Sequence, residues 1–252
     1  MIMEKIDRPV VTSINLKSNQ YRIDVSGLPQ VLAILRKGMY STPKRIIVQE
    51  YANNARDAHV AVGTTDRPIK IYCPDYANPY LKIQDFGPGL SPDDIQEVFI
   101  QYGASTKRDT DTQIGGFGLG SKSAFAYTDS FEVETINNGI KYNYAAYIDS
   151  TEIGEMPLLS AVETDEHSRT TVTIPIRLED IYEVNNWIAK VTEYWAIRPE
   201  VVGHVAWSNR KIYFQSENWA LAQTSSDWQS EKMLFCVAGI PYYFNLTTQH
   251  VP

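Results

Sequence analysis

The sequence predicts a mixed fold of α-helices and a largely antiparallel β-sheet, and three observations carry that reading. Segments of helical spacing and segments of strand alternation follow one another with no internal repeat. An Asn138-Gly139 pair separates two alternating runs, 131–136 and 141–148, in the manner of a two-residue hairpin turn. At 252 residues, 43% apolar and 21% charged, the chain has material for a sizeable core in one large or two small domains.

Residues 28–37 have helical spacing and stop at Gly38. A second helix is expected to start near Pro43, a favoured first-turn position, and to run to Val62 before Gly63. Residues 68–73 and 80–84 alternate as short strands around a turn containing Pro74, Asp75, Asn78 and Pro79. Ser91-Pro92-Asp93-Asp94 offers an N-cap, a proline at the first helical position and acids in the first turn, so a helix is expected over 92–100. Between Gly103 and Ser123 the composition shifts to Gly, Ser, Thr, Lys and Asp, which reads as a long loop entering a short helix. Residues 131–136, 141–148 and 169–177 read as antiparallel strands and 179–195 as a further helix. Short strands are expected at 204–207, 211–215 and 234–237.

A net charge of −7 withholds the positive field that phosphate-backbone binding uses, so no nucleic acid is predicted as a partner. Cys73 and Cys236 fit no metal or redox spacing and read as small core residues in a reducing compartment. Residues 1–11 include Glu4 and Asp7 and have no apolar h-region, so no secretory signal is expected and the mature chain should begin near Met1. The longest clean apolar run, 234–240, is far short of the roughly 20 residues of a membrane span. The expectation is a cytoplasmic chain, peripheral to a membrane at most.

Three segments carry chemistry. In Glu50-Tyr51-Ala52-Asn53-Asn54-Ala55-Arg56-Asp57-Ala58, spacings of four and seven put Glu50, Asn54 and Asp57 on one helix face. A glutamate there suits water activation, and an amide oxygen one turn later suits magnesium. A solvated polar face is the alternative, although the flanking Ile46, Ile47, Val48, Ala52, Ala55 and Ala58 indicate a helix packed on most sides. Asp85-Phe86-Gly87-Pro88-Gly89 places a carboxylate at a strand end, able to accept from an exocyclic amine such as adenine's, with glycines that admit a flat ring. A plain Gly-Pro-Gly turn capped by aspartate also accounts for it. Ile114-Gly115-Gly116-Phe117-Gly118-Leu119-Gly120-Ser121-Lys122-Ser123 presents backbone amides at a helix start, an anion site, or else a loop with no ligand. It is not a P-loop, since Lys122 arrives one place late after Gly115 and Gly120. Nor is it a Rossmann loop, since Ser123 stands where the third glycine should fall.

Taken together, in this order and at these separations, the segments resemble the Bergerat-type ATP site of the gyrase, heat-shock-chaperone, histidine-kinase and MutL superfamily. The resemblance implies an α+β fold: a two-layer sandwich of a mixed, mainly antiparallel sheet with helices on one face. It implies an ATP-binding domain over 1–178 and a small α/β segment, the start of a second domain, over 179–252. Carried over by position, Glu50 is the general base, Asn54 the Mg2+ ligand and Asp85 the adenine reader. Asp57 and Ala58 complete the first motif, and Gly87 and Gly89 shape the base pocket. Gly115, Gly116, Phe117, Gly118, Leu119 and Gly120 match the lid, and Lys107 matches a basic residue before it. Thr170 matches a threonine that supports the aspartate through a hydroxyl or a water. ATP and Mg2+ are the implied cofactors, slow hydrolysis the implied activity, and an ATP-dependent homodimer the implied assembly. A second lysine that relatives supply from a following domain has no assigned counterpart here.

Asp57-Ala58-His59, Asp85 to Gly89, and Ile114 to Ser123 continuing through Phe125-Ala126-Tyr127-Thr128-Asp129, are also similar to the amino-terminal part of the RIIA rapid-lysis proteins of T-even-type bacteriophages. That resemblance implies a nucleotide-gated switch or clamp in infection and lysis control, in the host cytoplasm or at the inner membrane, with a phage or host protein as partner. The alternative is an ATP-binding regulatory or scaffold module without significant hydrolysis. A histidine kinase is disfavoured, because no phosphoacceptor helix with a histidine precedes the motifs. His59, His167, His204 and His250 show no metal spacing and read as surface or core residues, with His59 placed to lie near the phosphates. Tyr142 to Tyr147 and the five tryptophans read as packing residues.

Overall fold

The computed structural model describes residues 42–96, 120–148, 154–207, 212–216, 219–222, 232–237 and 240–245. The helix expected at 28–37 lies outside them.

Helix α1 spans Pro43–Ala61, with Pro43 in the first turn and the Thr42 carbonyl accepting from the Arg45 and Ile46 N–H groups. Its buried Ile47, Val48, Tyr51, Ala52 and Ala55 form one apolar stripe. Strand β1 is Lys70–Tyr72 and β2 is Tyr80–Gln84. The first begins after Pro68, whose missing N–H cannot join a ladder. Asp75 Oδ1 accepts from the Ala77 and Asn78 N–H groups at 2.8 and 2.7 Å, closing the turn between the strands. Helix α2, Pro92–Asp94, opens on the expected N-cap at Ser91, which the structure closes into a capping box: Asp94 N–H donates to Ser91 Oγ and Ser91 N–H to the Asp94 carboxylate. Residues 97–100 of that expected helix lie outside the described residues.

Residues Gly120–Ala126 form a 3-10 segment. Strands β3, Ser130–Asn137, and β4, Ile140–Ile148, pair as the predicted hairpin, with φ of 51° at Asn138 and 75° at Gly139. Two strands the sequence did not announce follow, β5 at Gly154–Glu155 and β6 at Leu158–Glu163, both paired with β4. Leu158, Leu159 and Val162 are all exposed, so β6 has none of the apolar alternation by which a strand is recognised. Strand β7 is Arg169–Pro175, and after a 3-10 turn at Leu178–Asp180 helix α3 covers Ile181–Thr192. The strand expected at 204–207 is corrected: the strand is β8 at Glu200–Val202, placed by its ladder with β1, and 204–207 has no regular structure.

The sheet runs β5-β4-β3-β7-β2-β1-β8, antiparallel throughout except for β1 with β8. Ile71, Leu81, Ile83, Val133, Val172 and Ile174 point from its inner face into one core with α1 and with Ile181, Val184, Ile188 and Val191 of α3. This is the α+β two-layer arrangement, with the longer helices on one face. Strands β9 (Ile212–Gln215), β10 (Trp219–Ala222), β11 (Lys232–Val237) and β12 (Ile240–Asn245) make a second, antiparallel sheet. Of these, β10 and β12 were not expected from the sequence. Among the described residues no helix is long and apolar enough to cross a membrane.

A polar hub fixes the layers. Lys44 Nζ lies 2.7 Å from Asp180 Oδ1 and 2.6 Å from Glu183, while the Tyr127 hydroxyl donates to Asp180 Oδ2 at 2.8 Å. The start of α1, the end of the 3-10 segment and the entry to α3 therefore meet at one carboxylate.

The loop after β2 is laid across β3: Leu90 N–H donates to Thr135 Oγ1 at 2.7 Å and the Asn137 amide to the Pro88 carbonyl at 3.1 Å. Gly89 is held there at φ 72°, and a Cβ on it would stand 1.9 Å from the Ile136 carbonyl oxygen. Gly89→Ala should therefore cost at least about 2 kcal/mol of stability in a denaturant titration, from left-handed strain and the main-chain collision together. A loss below about 0.5 kcal/mol, the scale of an ordinary surface change, would contradict this packing.

Candidate functional site

Helix α1 turns its polar face toward the 3-10 segment. A Cβ built on Gly120 would lie 2.6 Å from Glu50 Oε2 and 3.8 Å from Asn54 Nδ2, so both side chains converge on the last residue of the glycine run. The 3-10 segment is held there by Tyr51, whose hydroxyl donates to the Ser121 carbonyl at 2.7 Å and accepts from the Ala124 N–H at 3.4 Å. Sequence reasoning gave Tyr51 no role. A tyrosine inside an apolar stripe reads as core, and the one available signal is that a buried hydroxyl needs a partner. Asp57, a turn beyond Asn54, is buried.

Asp85 sits where the β2–β7 ladder ends. Gln84 pairs with Thr171, the Asp85 N–H donates to the Thr170 carbonyl at 2.9 Å, and the Thr170 N–H donates to Asp85 Oδ1 at 3.2 Å. The same Oδ1 accepts from the Gly87 N–H at 2.8 Å. Oδ2 accepts nothing from the described residues. Asp85 is 7% exposed, and burial pushes its pKa up to about 6 against the pull of those N–H groups. Thr170 thus meets Asp85 through its main chain, and its hydroxyl lies 3.3 Å from Thr135 Oγ1.

Ala58 and Gly87 bring the helix and the loop together, since a Cβ on Gly87 would fall 2.8 Å from Ala58 Cβ. His59 lies at this same end, with Nε2 accepting from the Phe86 N–H at 2.8 Å. It is a buried core residue beside the Asp85 loop. Of the predicted site residues, Glu50, Asn54 and Gly120 form one group and Ala58, Asp85, Gly87 and Thr170 another, with Gly89 packed on β3. Lys107, Gly115, Gly116, Phe117, Gly118 and Leu119 lie outside the described residues. Among the described residues no cluster of three or more His, Cys, Asp or Glu side chains could hold a metal ion unaided.

The family described as Histidine kinase-, DNA gyrase B-, and HSP90-like ATPase matches residues 40–172, more than half of the chain. Among curated proteins the chain is similar to the Chaperone protein HtpG of Cupriavidus taiwanensis, 26% identical over 233 residues that cover 81% of this chain and 36% of that protein. It is similar to the protein of the same name in Cronobacter sakazakii at 24% over 214 residues, covering 74% and 34%, and in Pasteurella multocida at 25% over 207 residues, covering 70% and 32%. The chain thus spans about a third of the length of the curated relatives it matches.

Burying Asp85 has a signature in stability. Its folded pKa of about 6 lies above the ordinary value of 3.8, so between those values the folded state binds more protons than the unfolded chain. Stability therefore falls as pH rises through that window, by on the order of 2 to 3 kcal/mol. Asp85→Asn, which keeps an oxygen for Gly87 and Thr170, should flatten this slope in denaturant titrations between pH 4 and 7. An unchanged slope would place the titrating group elsewhere.

Proposed function

The chain belongs to the histidine kinase-, DNA gyrase B- and HSP90-like ATPase family, and on that premise we propose that it holds Mg-ATP with adenine at Asp85 and hydrolyses it slowly through Glu50. The observation that carries the proposal is Asp85 itself. It is a buried carboxylate with Oδ1 committed to two main-chain N–H groups and Oδ2 accepting nothing from the described residues. An exocyclic amine is the donor such an oxygen suits, and satisfying it offsets a desolvation already incurred in the folded protein.

The second support is the convergence of Glu50 and Asn54 on Gly120. With phosphates against the glycine run that ends there, Glu50 orients and deprotonates the attacking water, and the Asn54 side-chain oxygen is a hard ligand for the metal. Mg2+ bound there would neutralise charge on the phosphates and draw its other ligands from phosphate and water. Lys107, Gly115, Gly116, Phe117, Gly118 and Leu119 complete the phosphate end in this reading, and Asp57 and Ala58 complete the helix motif.

The finer reading is a nucleotide-gated switch of the RIIA rapid-lysis kind, dimerising on ATP and acting on a phage or host protein in lysis control. It is supported by the strings Asp57 to His59 and Ile114 to Asp129 quoted above. The name Chaperone protein HtpG describes relatives of which the matched segment covers only about a third, and it names those whole proteins.

Calorimetry with Mg-ATP beside phosphate release tests the assignment. Wild type should bind and turn over. Asp85→Asn places an amide where the amine acceptor is needed and should weaken binding by about a hundredfold or more. Glu50→Ala should still bind while phosphate release falls by at least about a hundredfold. Gly120→Ala forces the Glu50 carboxylate aside, a side chain that can move, so it should fold and bind but hydrolyse more slowly. Because the amine needs the ionised carboxylate, affinity should rise with pH through about 6 and level off above it. Binding without phosphate release in wild type would convert the proposal to a nucleotide-gated module, and no binding at all would remove it.

A further inference from the structure

Three successive N–H groups set the position of the Asp85 loop, and each has a different acceptor. The Asp85 N–H is held by the Thr170 carbonyl, the Gly87 N–H by the Asp85 carboxylate, and between them the Phe86 N–H by Nε2 of His59 at 2.8 Å. The first two bonds belong to the β7 ladder and to the loop's own turn. The third comes from a helix, and it is the bond that fixes the loop relative to the face bearing Glu50 and Asn54.

Since Nε2 accepts, a neutral imidazole must carry its proton on Nδ1, which then donates to the Arg67 carbonyl 3.0 Å away. Both ring nitrogens are used, and the side chain is 1% exposed. Burial holds its pKa below the ordinary value, which keeps the ring in the neutral form that can accept from Phe86. The surroundings reinforce the geometry: the Arg67 guanidinium lies 3.6 Å from the Phe86 ring centroid, and the His59 and Phe86 rings are 6.0 Å apart. One imidazole thus joins the end of α1, the turn at 64–67 and the segment that carries Asp85.

We propose that His59, as its Nδ1-protonated tautomer, is a positioning residue for nucleobase recognition: by clamping the Phe86 N–H it sets the distance between the Asp85 carboxylate and the phosphate end of the site. This inference rests on the nucleotide reading given under the proposed function. His59 acts through Asp85 and touches no reacting atom, so its effect falls on affinity for the base and leaves turnover of bound ATP unchanged.

Two substitutions divide the roles of the ring. In His59→Gln the amide oxygen reaches the place of Nε2 and can accept from Phe86. In His59→Asn the shorter amide reaches the place of Nδ1 and serves only Arg67. Calorimetry with Mg-ATP should show the Asn variant weaker than wild type by about tenfold and the Gln variant within about threefold of it. If wild type hydrolyses ATP, KM should follow the same order while phosphate release at saturating ATP stays within about twofold in both. In parallel, nitrogen NMR of histidine-labelled wild type should show a neutral His59 protonated on Nδ1. A proton on Nε2 overturns the clamp whatever the variants do. Equal ATP affinities in the two variants, with wild type binding, overturn this inference alone. No binding by wild type overturns the nucleotide reading and this inference with it.

Discussion

The chemistry of this chain depends on the point at which a β-ladder stops. Strands β2 and β7 exchange main-chain hydrogen bonds up to Gln84 and Thr171, and one more runs from the Asp85 N–H to the Thr170 carbonyl. The next donor in line, the Thr170 N–H, finds the Asp85 side chain where a main-chain carbonyl would otherwise stand. A carboxylate thereby takes the position of a sheet acceptor, and the sheet's register fixes it without any side chain of its own to do so. The turn that follows must double back at once. It presses Gly87 against Ala58 of α1 and Gly89 against the Ile136 carbonyl, contacts that leave no room for a Cβ.

Helix α1 answers to two demands along one length. Ile47, Val48, Tyr51, Ala52 and Ala55 bind it to the sheet, while Glu50 and Asn54 face the end of the glycine run. Tyr51 belongs to both, with its ring in the core and its hydroxyl holding the main chain of Ser121 and Ala124. Lys44 at the start of the helix meets Asp180, which also takes the Tyr127 hydroxyl. The 3-10 segment is thus fastened at its beginning by Tyr51 and at its end by Tyr127, both ultimately to the same helix. A rigid frame of this kind suits a site whose two ends must keep their separation.

What was legible in the sequence was local chemistry. The N-cap at Ser91, the Asn138-Gly139 hairpin and the helix from Pro43 each depend on neighbours within a few residues, and each stands as the pattern indicated. Residues that act across the fold were not legible. Strand β6 escaped because its place at the edge of β4 leaves Leu158, Leu159 and Val162 exposed, so burial never imprinted an alternation on it. Strand β8 was missed by a few residues because three residues paired in parallel with β1 carry almost no pattern of their own. At the site, the spacing of Glu50, Asn54 and Asp57 was readable as one helix face. The main-chain route from Thr170 to Asp85 was not, since nothing in a residue's identity announces what its N–H will meet. His59 shows the same limit: its type allowed several roles, and the Phe86 N–H and Arg67 carbonyl that decide between them reach it only through the fold.

Burying Asp85 explains why the rest of the loop is held so firmly. A carboxylate with its pKa pushed up to about 6 is one the fold would hold more easily as the neutral acid. At neutral pH it is ionised all the same, and a loop free to move would relieve the charge by carrying the whole carboxylate out into water. The Thr170 N–H, the Gly87 N–H and the His59 clamp on Phe86 together deny that escape. An anion fixed in place is a selective acceptor, because an arriving donor meets an oxygen whose direction is already set. The same constraint that weakens the free protein is what would sharpen its choice of ligand in the proposed reading of Asp85.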